Sequence, residues 1–380
     1  MVKTADIVIA GGGLAGLMSA LLLRRAGFSV ILIERRNYPF HRVCGEYVSN
    51  EVLPLLERLG IDVFGLGAVP IRRLEISAQS GRKIRADLPL GGFGISRFTL
   101  DHHLFQLLGK EGAEILCGEK INDIRFTGDG FFVDTAGKTF RSRYVIGAFG
   151  KRSNLDQQLG RPFFSRRSPY VGIKYHVKTV LPDDLIQLHF FRQGYCGISK
   201  VENGRYCLCY LVHRDALRRA GSIGALEQTS LCENPVLRDI LHHAERVWDK
   251  PEVINEISFA RKAPVEDHIL MCGDTAGMIA PLCGNGMAMA MRSADMLSSI
   301  IIKYGVKKAA SRTLIEKEYA KSWNAEFRTR LFAGRLLQQL SGHYFLTETV
   351  VAILGAVPPV FRELVRTTHG KTPPPATEHA

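Results

Sequence analysis

The chain opens on ADIVIA (5–10), an unbroken apolar run of strand length, followed by GGGLAG (11–16) and by LMSALLLRRAG (17–27), whose leucines recur at helical spacing. FSVILIE (28–34) is a second continuous apolar run. Strands apolar on both faces, joined through a helix, predict a βαβ unit and a doubly wound parallel sheet behind it. NEVLPLLERLG (50–60) predicts a helix ended by Gly60. The alternating runs RRLEISAQ (72–79) and RKIRADL (82–88), with Gly81 between them, predict a hairpin that leaves this first unit. TLDHHLFQLLGKEGAEILCG (99–118) returns to it as helix, turn and strand, and 120–149 alternates as a small meander ending in YVIGAFG.

From 160 to 260 strands predominate, among them SPYVGIKYHV, LIQLHFF and RYCLCYLV, with helical stretches near 222–246. After 272 the pattern is helical almost to the end. The expected fold class is α/β: a doubly wound, Rossmann-like nucleotide domain, an inserted β-sheet substrate domain and a helical C-terminal region. The expected division gives 1–70, 95–160 and 261–305 to the nucleotide domain and 71–94 with 161–260 to the substrate domain. Residues 306–370 form the C-terminal helices, and the proline-rich KTPPPATEHA (371–380) reads as a disordered tail.

Composition changes this picture little. With 380 residues, 46% of them hydrophobic, the chain can bury a large core. The first strand has no basic segment before it and glycines directly after it, so a secretory signal is not expected and the cytoplasm is the expected location. Eight cysteines contain no CxxC pair, which indicates neither a zinc site nor a disulfide framework, and no metal is expected. His102–His103 and His242–His243 are successive on helices and face apart, so neither pair suits a metal. The net charge of +13 asks for acidic partners. Residues 301–340 hold nine Lys or Arg against three Glu, either a solvated helix face or a docking surface. No aromatic residues interleave with these charges as in RNA-binding modules, so nucleic acid is not expected.

Gly11, Gly13 and Gly16 form GxGxxG directly after a strand and at the start of a helix. There the backbone passes close to a pyrophosphate held at the helix N-terminus. Leu14 and Ala15 complete that turn. Glu34 ends the second strand 23 residues after Gly11, where a carboxylate accepts from ribose hydroxyls, and Arg35 follows it. A second glycine-rich loop, CGDTAGMIAPLCGNGM (272–287), then needs its own reason. One is a plain turn rich in Gly, Asp and Pro. The other is that the bound dinucleotide has a far end, as FAD does. Asp274 then accepts from a ribitol hydroxyl, and the amides from Gly284 through Gly286 to Met287 point a helix N-terminus at the flavin pyrimidine.

GGGLAG with Glu34, RVCGEYVS (42–49), ISRFTLDHHL (95–104), IGAFGKRSNL (146–155) and GDTAGMIAPLCGNGM (273–287) occur in the order found in flavoproteins of the geranylgeranyl reductase type. The chain resembles that family, relatives of the aromatic hydroxylases and flavin-dependent halogenases, over roughly residues 5–300. The resemblance implies FAD contacts at Ala15, Glu34, Cys44, Gly45, Arg97, Ile121, Asp274, Gly286 and Met287. Two departures matter. Phe149-Gly150 stands where hydroxylases that take hydride from NADPH have Asp-Gly, which leaves NAD(P)H as an uncertain electron donor. The halogenase WxWxIP segment has no counterpart around Trp248 or Trp323, and GYCGISKVENG (194–204) replaces the YxWxFP segment of prenyl reductases.

The expectation is an FAD-dependent oxidoreductase that reduces or dehydrogenates a C–C bond in a lipophilic, prenyl or polyketide-like substrate. Flavin monooxygenation of the aromatic hydroxylase type is the alternative. A basic flavoprotein acting on RNA or as an electron-transfer partner is the alternative of another class. The uncharged run TVVAILGAVPPVF (349–361) is too short to span a bilayer. It reads either as a helix packed on the FAD domain or as part of a surface docking an anionic membrane or an acidic carrier protein.

Overall fold

The computed structural model describes residues 2–306, 309–340 and 344–369, and the expected disordered tail lies outside them. The apolar runs at the start form a sheet in which Lys3–Ala10 lies parallel to Val30–Glu34 on one side and to Thr139–Gly147 on the other. Glu114–Cys117 and Ile269–Met271 extend it in parallel, while Asp123–Phe126 and Phe131–Asp134 add an antiparallel meander. Val30–Glu34 is buried at every position, which is why its sequence shows no alternation. Helices Leu14–Arg25, Arg97–Lys110 and Gly286–Tyr304 pack together against this sheet.

The GxGxxG loop is tight for steric reasons. Gly11 has φ +106°, and a Cβ there would meet the Ala148 carbonyl oxygen at 2.4 Å. A Cβ on Gly16 would lie 1.9 Å from the Gly11 oxygen, so helix and strand approach only through glycine.

A second sheet is built from Tyr170–Lys178, Tyr206–His213, Gly194–Lys200 and Leu185–Phe191, then the predicted hairpin Val69–Ser77 and Lys83–Gly94. Leu185–Phe191 joins Val69–Ser77 in parallel, so the hairpin and the 160–260 block form one surface. Its outer face buries Val171, Ile173, Tyr175 and Val177 with the helices between 214 and 243. Its inner face, including Leu74, Ile186, Leu188 and Phe190, looks towards the first sheet's glycine-rich loops. Each such side chain contributes about 1.5–3 kcal/mol when fully buried.

One local expectation is corrected. NEVLPLLERLG is a 3₁₀ turn, Asn50–Val52, followed by a short helix, Leu53–Arg58, because Pro54 is tolerated only near a helix start. The segment before it crosses between the layers: Tyr47–Ser49 pairs with Lys83–Gly94 in the second sheet.

The C-terminal region starts as one long helix, Ala309–Leu340, whose Arg330 bonds the buried Glu51 carboxylate through Nη1 at 3.0 and 3.1 Å. Tyr344–Ala356 and Pro358–His369 follow, and the axes of Tyr344–Ala356 and Pro358–Val365 differ by 110°. The run 349–361 is therefore not one helix on the cofactor domain. It breaks before Pro358-Pro359, and Val351, Leu354, Phe361 and Val365 pack on the hairpin side of the second sheet with Leu74 and Ile84. We call these two helices the strap.

Candidate functional site

One cavity of about 630 Å³ runs between the two sheets. Gly11, Gly13, Leu14 and Ala15 border one end of it with Glu34, Arg35 and Ile121. Gly16 stands behind the loop, where its missing Cβ serves packing. The helix Leu14–Arg25 has no side-chain cap at Gly13, and a Cβ there would meet only the Arg97 Nη2 at 3.7 Å. First-turn amides are thus left for an anion from the cavity. Glu34 is buried, and its carboxylate accepts from the Gly12 amide at 2.9 Å, the Arg36 amide at 3.1 Å and Arg42 Nη2 at 3.2 Å.

Arg42 and Asp101 were not singled out in the sequence. Arg42 joins Glu34 to Asp101, donating from Nε to Asp101 at 3.2 Å. Asp101 also receives Arg97 through two 2.7 Å bonds. Burial alone would lower the Arg97 pKa, but Asp101 holds it above the usual value. The signal for Arg42 lay inside RVCGEYVS. Asp101 was overshadowed by the two histidines after it.

The second glycine-rich loop borders the same cavity through Asp274, Gly284, Gly286 and Met287. Gly284 is left-handed at φ +65°, and the turn it makes sets the N-terminus of Gly286–Tyr304 facing the cavity. The Asp274 carboxylate accepts no hydrogen bond among the described residues, and burial raises its pKa against the opposing pull of Lys262 and Arg97. Lys262 instead donates to the backbone carbonyls of Lys151 at 2.7 Å and Asp274 at 2.8 Å. Burial lowers the pKa of both Lys151 and Lys262 to about 8.

Between the two loops, Cys44 and Gly45 line the cavity on a segment pinned to the second sheet. Lys174 donates to the Arg42 carbonyl at 3.2 Å, the Cys207 thiol to that of Cys44 at 3.2 Å and Ser199 to that of Gly45 at 3.4 Å. Glu46 adopts φ +55°; its carboxylate takes the Lys174 ammonium and the Arg97 amide, and lies 2.5 Å from His176 Nε2. Burial would raise its pKa, yet Lys174 and His176 bring it down to about 2. Glu46, His176 and Cys207 are close enough together to bind a metal, but Lys174 already supplies the cation, and burial keeps the Cys207 thiol protonated. Burial also raises the Cys44 pKa, as for a packed thiol.

Away from these charges the cavity becomes hydrocarbon. Leu74, Ile84, Ile186, Leu188 and Phe190 from the sheet face Val351, Leu354 and Phe361 from the strap. Every predicted cofactor residue except Gly16 borders this one cavity, and the strap, not anticipated as part of the site, closes its apolar limb.

Comparison with known proteins agrees with this geometry. Residues 4–184 match the family model described as FAD binding domain. The chain is 25% identical over 386 residues to digeranylgeranylglycerophospholipid reductase 1 of Methanopyrus kandleri, covering 96% of this chain and 97% of that one. Its fold is similar to a geranylgeranyl bacteriochlorophyll reductase-like protein from Thermoplasma acidophilum, with TM-score 0.77, 17% identity and coverage of 99% and 98%. It is equally similar to the flavin-dependent brominase Bmp2, with TM-score 0.77, 19% identity and coverage of 97% and 94%. Residues 4–184 thus carry an FAD binding domain, and the chain is similar in sequence to reductases of the geranylgeranyl type and in fold to flavin-dependent halogenases.

Proposed function

We propose that FAD lies along the polar limb of the cavity, that an alkenyl lipid fills the apolar limb, and that the enzyme reduces or dehydrogenates a carbon–carbon bond where the limbs meet. The observation that carries this reading is their continuity: the loop from Asp274 to Met287 and the strap residues Val351 and Leu354 border one space. The fit to FAD rests on an uncapped helix N-terminus at Gly13, the ring of Glu34 and Arg42, and an Asp274 carboxylate with no donor among the described residues. FAD supplies the hydride chemistry. The protein's own part is to hold the adenosine ribose at Glu34, the pyrophosphate at Gly11 to Ala15, and the ribitol at Asp274. Helix Gly286–Tyr304 aims its positive end at the pyrimidine, and the strap excludes water.

On this reading the chain divides discontinuously into 1–70, 95–160 and 261–305 for FAD and 71–94 with 161–260 for substrate, except that Tyr47–Ser49 lends a strand to the substrate sheet. The electron donor is a separate reductant rather than direct NAD(P)H, since Phe149 borders the cavity where hydroxylases place an aspartate. The lipophilic substrate arrives from a membrane surface on the cytoplasmic side, with a carrier protein as the other source.

The test is anaerobic reduction of the flavin followed by addition of an isoprenoid alkene, with mass analysis of the product. A mass gain of two hydrogens supports the reading. No alkane product, together with a flavin hydroperoxide absorbance on admitting oxygen, would establish monooxygenation instead.

A further inference from the structure

The sheet that floors the cavity has a gap at Gly197. This residue lies mid-strand in Gly194–Lys200 and borders the cavity. A glycine inside a strand weakens it, and the usual reasons for one are a bulge, the close approach of another backbone or the close approach of a ligand. A bulge is not the reason, because Gly197 pairs with Leu188 on one side and Cys209 on the other without a break in register. Nor is crowding. A Cβ on Gly194 would lie 2.3 Å from the Leu211 carbonyl oxygen, and one on Gly172 2.9 Å from Ile257 Cδ1. On Gly197 it would meet Leu188 Cδ2 at 3.5 Å and the Cys209 oxygen at 3.7 Å, both ordinary contacts. Chain neighbours apart, no other atom of the described residues comes within 4 Å. Close approach by a ligand is the reason left.

The gap opens into the cavity. On the inner face of the same strand Tyr195 and Ser199 are 3% and 1% exposed, while Gly197 between them is only half-buried, as is Cys209 beside it. Gly45 also borders the cavity, and a Cβ there would meet nothing within 4 Å. The Ser199 hydroxyl, two residues along the strand, holds the Gly45 carbonyl at 3.4 Å. Gly197 therefore adjoins the Cys44–Gly45 segment, beside which the proposed reading puts the flavin. Elsewhere the same wall carries full side chains, Leu74, Ile186 and Phe190 among them. The cavity is deeper by one side chain where its limbs meet. A flexible chain gains little from such a step, whereas a flat ring lies flush on the backbone that glycine exposes and keeps contact over a whole face.

We infer that the substrate carries a planar ring next to the bond that reacts, that this ring lies on Gly197, and that the alkenyl chain runs from it into the apolar limb. This rests on the apolar limb being the substrate site. Gly197 is then a specificity-determining residue: a side chain there takes the place of the ring and leaves the wall along the chain intact.

The experiment uses the purified holoenzyme and follows the visible absorbance of oxidised flavin during titration. The two ligands are geranylbenzene and the acyclic hydrocarbon in which a hexyl group replaces the phenyl ring. The wild type is expected to bind geranylbenzene about ten-fold more tightly. Gly197→Leu fills the gap; it keeps its FAD, binds the acyclic ligand within about two-fold of the wild type and loses the preference. Gly197→Ala adds one methyl on an extended backbone that any residue adopts. It is expected to fall between the two and carries the same test if the leucine variant does not fold. Equal affinities in the wild type, or an unchanged preference in the variants, overturn the inference while leaving the limb as the substrate site. Loss of FAD from folded Gly197→Leu assigns the gap to the cofactor and overturns the inference too. Binding of neither ligand by the wild type overturns that reading and the inference with it.

Discussion

Lys174 and Glu46 form an ion pair in which neither side chain reaches solvent. The pair closes the chain of contacts that fixes Arg42 to Glu46 against the second sheet: the same ammonium holds the Arg42 carbonyl, and the same carboxylate holds the Arg97 amide. Removing one partner leaves an uncompensated buried charge, which costs about 3–5 kcal/mol. Lys174→Met is therefore expected to lower the thermal midpoint by several degrees, and adding Glu46→Gln to recover part of that loss. The pH dependence has a definite sign. The Glu46 pKa is depressed from 4.5 to about 2 in the folded protein, so its contribution is present above about 4.5 and is lost as pH falls towards 2. Thermal melts between pH 3 and 7 should show a shallower acid limb for Glu46→Gln than for the wild type. Parallel limbs would show that the pair does not govern acid stability.

The nucleotide half was legible because its signals are local. An apolar strand, three glycines and an acid at the end of the next strand lie within residues 5–34, and backbone geometry demands each of them. The far loop was legible because Asp274 and Gly284 sit in one short segment. Lys174 and His176 were not, since their meaning depends on strand register. His176 stands opposite Cys207 only after Tyr170–Lys178 and Tyr206–His213 pair. The strap was misplaced for the same reason: its composition says apolar, but not which of two sheets it covers.

Asp274 offers an acceptor that no described residue uses, so its loss falls on the cofactor. Asp274→Ala is expected to weaken FAD binding about ten-fold or more, in line with about 1–3 kcal/mol for a lost buried hydrogen bond. Asp239→Ala, whose side chain is exposed on the outer helix Pro235–His243, should leave it unchanged. Fluorescence titration of the apoprotein with FAD measures both. Equal affinities would mean the second glycine loop is a turn and no more.

Phe149 follows strand Thr139–Gly147 and places a ring, not a carboxylate, at the cavity wall. Direct reduction of the bound flavin by NADPH is expected to be slow and without saturation in anaerobic stopped-flow, whereas dithionite bleaches it fully. Fast saturable bleaching by NADPH alone would show that nicotinamide docks here without the aspartate.

The strap exposes apolar side chains as well as burying them. Val351, Leu354 and Phe361 turn inwards, while Phe345 is 83% exposed and Ile353 54%, with Val357 and Val360 exposed as well. Large exposed apolar patches mark interaction surfaces. No single helix among the described residues is long and apolar enough to cross a membrane. A surface that lies on the bilayer is the geometry left for these helices if lipid is what covers them. Cations flank it: exposed Arg82 and Lys83 sit on the hairpin whose Ser80 bonds Glu348 of the strap, and Arg362 is exposed on the second strap helix. Each contributes about 1 kcal/mol near an anionic surface, and that share is screened by salt. The protein is expected to co-sediment with phosphatidylglycerol vesicles at low ionic strength and to be released at high. Phe345→Glu with Val360→Glu should abolish sedimentation without changing FAD content, since both side chains point away from the cavity. Capture by an acyl carrier protein with no vesicle binding would assign the same surface to a protein partner; binding to neither at low salt would leave the exposed strap residues without a docking role.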